Sequence, residues 1–175
     1  MPAEHVVGTI EPSGTQPTMT RERIERFLRQ PLVAVLSWVT PQGEVASSPI
    51  WYEYRDGKFY LASSSAFLKV RSMLKRPAVS LCVQDPEPPY RYVTIRAMAE
   101  VRTDPEGARA LDGRLARHYL GRTAGRYYTE VVSPTYPGEG RLVVLTPTHI
   151  SSMDGSAGMS PLVLLAMKSL RAVGL

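Results

Sequence analysis

The stretch that decides the fold is GKFYLASSSAFLKVRSMLKRPAVSLCVQ, residues 57–84. Aromatic and β-preferring residues fill positions 59–62 and predict a strand, and three serines follow as a turn. Apolar residues then recur at helical spacing between Ala66 and Lys75, which predicts a short helix. Pro77 cannot continue that helix, so the chain should turn there into a second strand, AVSLCVQ.

The same stretch has no acidic residue and carries a formal charge of +5, which equals the net charge of the whole chain. Its basic residues are Lys58, Lys69, Arg71, Lys75 and Arg76. The serine turn could supply a cap for the helix. Unpaired N–H groups and the positive end of the helix dipole would then face an anion, so this segment is suited to binding phosphate. A solvated basic helix face is the alternative interpretation.

Composition predicts one soluble domain with tails. The chain has 175 residues, of which 43% are hydrophobic, enough for a sizeable core. Its pI near 9.5 suits an anionic partner, but the basic residues form no motif typical of nucleic-acid binding, so no nucleic-acid partner is expected. The single cysteine, Cys82, excludes an internal disulfide and favours a reducing, cytoplasmic compartment. No signal peptide or apolar run of the ~20 residues needed to span a bilayer is visible, so no membrane partner is expected.

The rest of the chain adds strands joined mainly by hairpins. A helix capped by Thr20 is expected first, and a second helix should run from Asp104 to a stop at Gly121. Strands are predicted at 32–40, 45–54, 59–62, 78–84, 92–102 and 141–153. The Asp56-Gly57 pair predicts a tight type I′ hairpin turn before the strand at 59–62. This order predicts a mainly β fold, a six-stranded antiparallel barrel with peripheral helices. The predicted organisation is a flexible leader at 1–18, the barrel domain at 19–153, and a C-terminal tail at 154–175 that could form a short helix.

Several chemistries lack their motifs. There is no phosphate-binding glycine loop, nucleophile elbow or zinc-protease motif. The three histidines lie far apart in the sequence without the spacing of metal ligands, so no metal site is predicted. An anion site on a small barrel that offers no catalytic side chain of its own points to a cofactor, which would carry the chemistry while the protein binds and orients it.

Four stretches carry a family resemblance: VASSPIWYEYRDGKFYLAS, KVRSMLKRPAVSLCVQDPEPPYRYVTIRAMAEV, LARHYLG and RLVVLTPTHISSMD. Their order resembles the split β-barrel flavin and deazaflavin oxidoreductases of the pyridoxamine 5′-phosphate oxidase type, and in particular the branch that depends on coenzyme F420. The resemblance implies hydride transfer by F420 to or from a small organic substrate. FMN on the same fold, or a non-enzymatic protein that binds flavin, haem or another tetrapyrrole, are the alternatives.

The resemblance also implies a set of cofactor-binding residues. Lys69 would meet the cofactor phosphate and Arg71 would add a second positive charge. Ser63, Ser64 and Ser65 would offer hydroxyls to the phosphate and its chain. Residues on the strand that runs along the tricyclic ring would be Ser48, Pro49, Ile50 and Trp51. Tyr90 and Tyr92 would approach from the second subunit of a homodimer with two equivalent sites.

One departure from the F420 branch concerns Phe67, which stands where that branch often has an arginine, two residues before the lysine. FMN therefore stays open as the cofactor. The loops at 85–91 and 133–140 are expected to shape the substrate pocket, because specificity in such a site comes from pocket shape.

Overall fold

The structure is a computed structural model that describes residues 9–10 and 18–172. The predicted flexible leader, residues 1–18, therefore lies almost entirely outside the described residues. Two of its residues, Thr9–Ile10, form a short strand, β1, that pairs in parallel with the last strand of the sheet.

The strands of the chain form one eight-stranded sheet over the described residues. The strands after β1 are β2 (Ala34–Val39), β3 (Val45–Ile50), β4 (Glu53–Arg55), β5 (Lys58–Ser64), β6 (Ala78–Gln84), β7 (Arg91–Arg102) and β8 (Gly140–Asp154). Their spatial order is β3-β2-β6-β7-β8-β5-β4, with every pair along this path antiparallel. The helices are α1 (Arg21–Leu28), α2 (Leu68–Lys75), α3 (Pro105–Tyr127) and α4 (Pro161–Ala172). The predicted mainly β, antiparallel fold with peripheral helices is confirmed.

The predicted strand at 45–54 is two strands, which accounts for part of the difference from the expected count of six. β3 pairs with β2 at one end of the sheet and β4 pairs with β5 at the other end. Only Trp51 and Tyr52 connect them, so the chain crosses from one edge of the sheet to the other at these two residues. The Tyr119 hydroxyl accepts a hydrogen bond from the Tyr52 N–H group at 3.3 Å. This bond satisfies a backbone N–H group that does not pair with a neighbouring strand.

Alternation along the strands places every second side chain inside the barrel, as the pleat requires. α1 covers one end of this core with Ile24, Phe27 and Leu28, all buried. The predicted tight turn before β5 is present, since Asp56 and Gly57 have φ values of 52° and 72°. Both positive values are those that a type I′ hairpin turn needs.

α3 is interrupted at Gly121, the residue predicted to stop it. Gly121 has φ 78° and ψ 178°, which is not helical, and the chain resumes a helical path until Tyr127. A turn of π-helix, Tyr128–Val132, and a 3₁₀ turn, Ser133–Thr135, follow. A Cβ atom on Gly125 would lie 2.7 Å from the carbonyl oxygen of Ala116, so the second segment packs closely against the first. This packing positions residues 128–140 beside β5 and α2.

The C-terminal segment contains α4, whose Leu162 and Leu165 side chains are exposed. None of the helices in the described part of the chain is long and apolar enough to cross a membrane.

Candidate functional site

A cavity of about 890 Å³ opens between the sheet and α3. Its walls come from the β3–β4 connection, the end of β5, the start of α2, one face of α3 and the segment at 128–140. Six of the residues predicted to bind a cofactor line it: Pro49, Ile50, Trp51, Ser63, Ser64 and Lys69. The fold therefore gathers residues that are separated by up to twenty positions in the sequence.

Lys69 places an ammonium group at this cavity. It is the second residue of α2, and its Nζ atom donates a hydrogen bond to Ser48 Oγ at 3.4 Å and lies 5.5 Å from the ring centroid of Phe67. Among the residues that the structure describes, no carboxylate forms an ion pair with it. Burial lowers the pKa of Lys69 below the ordinary 10.5, because the charged form loses hydration. A half-buried cation without a counter-ion is suited to binding an anion.

The three serines divide into two structural roles. The predicted cap is wrong, because α2 begins at Leu68 and Phe67 stands at its N-cap without a side-chain hydrogen bond. Ser64 Oγ accepts from the Ala66 N–H group at 3.1 Å and donates to the Pro137 carbonyl oxygen.

Ser65 Oγ accepts a hydrogen bond from the Glu139 N–H group at 3.0 Å, and the Ser65 N–H group donates to the Glu139 carbonyl oxygen at 2.9 Å. The second and third serines therefore hold the loop at 137–139. Ser63 Oγ is different, since it is buried and has no hydrogen-bond partner in the described part of the chain. An unsatisfied buried hydroxyl costs about 1–3 kcal/mol, which favours a ligand atom that accepts from it.

Gly138 allows the loop to close on the serine turn. Its φ is 83°, a conformation that favours glycine. A Cβ atom there would lie 2.7 Å from Ser64 Oγ and 2.9 Å from the Ala66 nitrogen. Any side chain at position 138 would therefore push the loop away from the serines.

Trp51 lies in an aromatic cluster on the cavity wall. Its ring stacks on Tyr119 with centroids 5.2 Å apart and planes 9° apart, and it meets Tyr128 at 5.1 Å with a tilt of 56°. Tyr119 therefore covers one face of the indole, and contacts with these two tyrosines fix the position of the Trp51 ring.

The wall formed by α3 and the turn that follows it was not predicted as part of the site. It brings Asp112 and Tyr128 to the cavity, beside Ser133 and Tyr136 of the loop at 133–140. Tyr136 meets the Phe67 ring edge-on at 5.9 Å, which connects this wall to the start of α2. The pKa of Tyr128 is raised, first by burial, then by the charge of Asp112 and by its hydrogen bond with Tyr136. The predicted pocket loop at 133–140 lies here.

The family of the chain follows from its sequence. The sequence model of the family described as pyridoxamine 5′-phosphate oxidase matches residues 20–154. The chain belongs to the pyridoxamine 5′-phosphate oxidase family. Membership confirms the resemblance in the sequence and supports a flavin-related function, either oxidoreduction or binding, at the level of the family.

Solved structures share the family's fold. The conserved hypothetical protein Rv2991 from Mycobacterium tuberculosis is similar with a TM-score of 0.69 and 19% identity, covering 86% of this chain and 94% of that one. An F420 reductase is similar with a TM-score of 0.58 and 26% identity, covering 73% and 94%. A FAD-binding protein from Mesorhizobium loti has a TM-score of 0.56 and 19% identity, covering 79% and 96%. No curated protein matches the chain.

Other predicted site residues lie beside the cavity or outside it. Ser48 and Ser65 border it through their bonds to Lys69 and to the loop. Arg71 is exposed on α2 and does not line the cavity. Tyr90 is 51% exposed, and Tyr92 stands on β7 opposite Gln84 and Met153.

Neither tyrosine lines the cavity of its own chain, and the predicted pocket loop at 85–91 does not line it either. Within residues 9–10 and 18–172, no three His, Cys, Asp or Glu side chains come together as a metal site would require.

Proposed function

We propose that this protein is an oxidoreductase that uses coenzyme F420 to transfer hydride to or from a small organic substrate, with FMN as the second candidate cofactor. The observation that carries the proposal is the half-buried Lys69 ammonium group, which faces the cavity without a carboxylate partner among the described residues. Family membership and the 26% identity with an F420 reductase support it.

The residues present fit a phosphorylated cofactor. The volume of about 890 Å³ falls in the range of ligand pockets, roughly 300–1,000 Å³. The lining offers the ammonium group of Lys69 and the unsatisfied hydroxyl of Ser63, which suit a phosphate. The neighbouring wall is apolar, with Pro49 and Ile50, and suits a planar ring.

Each part of the cavity would have one task. Lys69 and Ser63 would hold the phosphate, and Pro49 and Ile50 would fix the position of the ring. When bound, the deazaflavin supplies the hydride chemistry, as cofactors do in such enzymes. The protein contributes orientation and a partly dry site, in which a charge-assisted hydrogen bond contributes about 1.5–3 kcal/mol.

The choice between F420 and FMN depends on charges outside the cavity. Arg71 and Lys75 are exposed on α2 and form no ion pair with a described residue. They suit the anionic tail of F420, which FMN lacks. Phe67 stands where the F420 branch often has an arginine, so one such charge is missing. For this reason FMN remains the second candidate. A haem-binding role has less support, since of the usual axial ligands the described lining offers tyrosine but no histidine, cysteine or methionine.

The proposal includes a homodimer. Val33 and Pro49 line the cavity, and Val35, which is 44% exposed, stands opposite Pro49 on the outer face of the sheet. An apolar surface thus continues from the cavity onto that face, where a second copy would bury it. Tyr90 and Tyr92, which lie outside the cavity of their own chain, would then be available to the partner's site.

Titration of the purified protein with F420 and, separately, with FMN tests the function. Cofactor fluorescence gives the dissociation constant in each case. Micromolar binding of F420 is expected. Binding of FMN alone would establish the second candidate, and micromolar binding of neither would overturn the proposal.

A further inference from the structure

The cavity has an acidic end as well as a basic one. Asp112 lines it from α3, on the wall that also carries Tyr128 and Tyr136. Ser133 Oγ donates a hydrogen bond of 2.6 Å to Asp112 Oδ2. The other carboxylate oxygen, Oδ1, accepts no hydrogen bond from a described residue, and no described cation forms an ion pair with this side chain. Asp112 therefore presents an uncompensated negative charge to the cavity.

This acidic end is separated from the Lys69 end by aromatic side chains. Lys69 lies over Phe67, Phe67 meets Tyr136, and Tyr136 is close enough to Tyr128 to raise its pKa. The negative charge of Asp112 also raises the pKa of Tyr128, and the Tyr128 ring contacts Trp51. A ligand's anionic group is drawn to Lys69 and repelled by Asp112, so the two ends of the cavity select groups of opposite charge.

We propose that Asp112, with the aromatic side chains Tyr128 and Tyr136, forms a substrate subsite for a positively charged nitrogen group carried on a flat, apolar body. The carboxylate oxygen that Ser133 leaves free accepts the N–H group, and the aromatic faces attract the positive charge. The subsite deepens the proposed function and rests on it for the claim that its ligand is a substrate.

Arg109 is the nearest competing charge on the same helix. It lines the cavity one turn before Asp112, but it is exposed and forms no ion pair with Asp112. The Asp112 carboxylate therefore stays available to a ligand. Removing its charge should strengthen cation binding, because a like charge near the ligand is lost.

A purely structural role for Asp112 is the competing explanation. The bond from Ser133 ties the 3₁₀ turn to α3 and uses one carboxylate oxygen. An amide oxygen also accepts that bond, though more weakly than a carboxylate, so Asp112→Asn keeps the tie and removes the charge. The two explanations therefore predict different results for the same variant.

The test uses the full chain and three probes of one shape: benzamidine, which is cationic, benzamide, which is neutral, and benzoate, which is anionic. Calorimetry or ligand-observed NMR measures their binding to the wild type and to Asp112→Asn, Arg109→Ala and Glu106→Gln. Glu106→Gln is the matched control, because Glu106 is an exposed carboxylate on α3 that does not line the cavity.

Benzamidine should bind the wild type more tightly than benzamide. Asp112→Asn should weaken the binding of benzamidine about tenfold or more, because one charge-assisted hydrogen bond is lost. Glu106→Gln should leave the binding of benzamidine unchanged, and Arg109→Ala should tighten it. Equal binding of benzamidine and benzamide, no binding of benzamidine at millimolar concentration, or an unchanged affinity in a folded Asp112→Asn variant would overturn the subsite.

Parallel titrations with F420 and FMN separate the two proposals. Asp112→Asn should retain the affinity for the cofactor, and Lys69→Ala should lose it while keeping the affinity for benzamidine. Cofactor binding without a preference for benzamidine over benzamide overturns the subsite alone. A preference for benzamidine that depends on Asp112, with no cofactor binding, overturns the proposed function alone.

Discussion

Burying the ammonium group of Lys69 without a carboxylate nearby costs free energy, since the hydration it loses is not replaced by a counter-ion. Replacing this side chain with an apolar one of similar length should therefore stabilise the protein in the absence of cofactor. We expect Lys69→Met to raise the melting temperature and to weaken the binding of a phosphorylated cofactor. A gain in stability with a loss of binding is typical of a residue kept for function.

Lys75→Met is the matched control for this experiment, because Lys75 is on the same helix but exposed. Thermal denaturation and cofactor titration of both variants give the comparison. A lower melting temperature in Lys69→Met would mean that the lysine stabilises the fold, contrary to this account.

The lowered pKa of Lys69 also predicts how cofactor binding depends on pH. Phosphate binding needs the protonated amine, so the affinity should fall as the pH rises through the lowered pKa, at a pH below the ordinary 10.5 of lysine. Over the same interval the unfolded chain binds the proton that the folded chain has released, so the stability without cofactor should rise with pH.

Lys69→Arg tests that assignment, because the arginine guanidinium stays charged throughout the range. Its affinity for the cofactor should not show this alkaline decline in titrations across the pH series. An equal decline in the wild type and in Lys69→Arg would place the titrating group elsewhere.

At the scale of elements, the serine turn and the loop at 137–139 form one unit, held by the bonds of Ser64 and Ser65. Gly138→Ala would combine a disfavoured φ with a clash against Ser64 and Ala66. We expect a loss of about 2–5 kcal/mol in the free energy of unfolding, measured by denaturant titration, since overpacking costs about 1–3 kcal/mol and a left-handed alanine about 1–2 kcal/mol.

Gly43→Ala separates the two contributions, because Gly43 has φ 90° but a methyl group on its Cα would meet no atom within 4 Å. It should cost only the left-handed conformation, about 1–2 kcal/mol. Equal losses in the two variants would show that the close approach of the loop to the serines does not matter.

The elements that the sequence predicted well are those specified by local chemistry. The turn at Asp56 and Gly57, the cap at Thr20 and the break at Gly121 each depend on the conformational preferences of one or two residues. The division of the strand at 45–54 could not be predicted in this way. Trp51 and Tyr52 suit a strand, and the chain breaks there because its two halves pair with different partners.

The site was predicted in part for the same reason. Lys69 and Ser63 lie within one local strand and helix, and their roles as candidates follow from that segment. Asp112 reaches the cavity because α3 packs against β5 and β8. Tyr128 reaches it only because the chain turns at Gly121 and packs back through Gly125. The run of tyrosines after the glycine break was the available signal, but a sequence alone does not show which wall such a run will face.

At the scale of the molecule, the outer face of the sheet carries exposed apolar side chains, including Val35 and Met98, which are 44% and 45% exposed. If this face joins two copies, Val35→Glu should disrupt the dimer, because it would bury an unpaired carboxylate. Sedimentation velocity should show a dimer for the wild type and a monomer for the variant.

Leu120→Glu is the control for this prediction, since Leu120 is similarly exposed, at 41%, but lies on α3. It should remain dimeric. A monomeric wild type, or a dimer unaffected by Val35→Glu, would exclude this face as the interface.

The central claim is that Lys69 holds a cofactor phosphate, and a comparison of ligands with and without that phosphate tests it most directly. Dissociation constants of FMN, riboflavin and F420 are measured for the wild type and Lys69→Ala by fluorescence titration. Lys69→Ala should weaken the binding of the phosphorylated cofactors about tenfold or more and leave the binding of riboflavin unchanged. An equal loss for both kinds of ligand, or no loss for either, would contradict the claim.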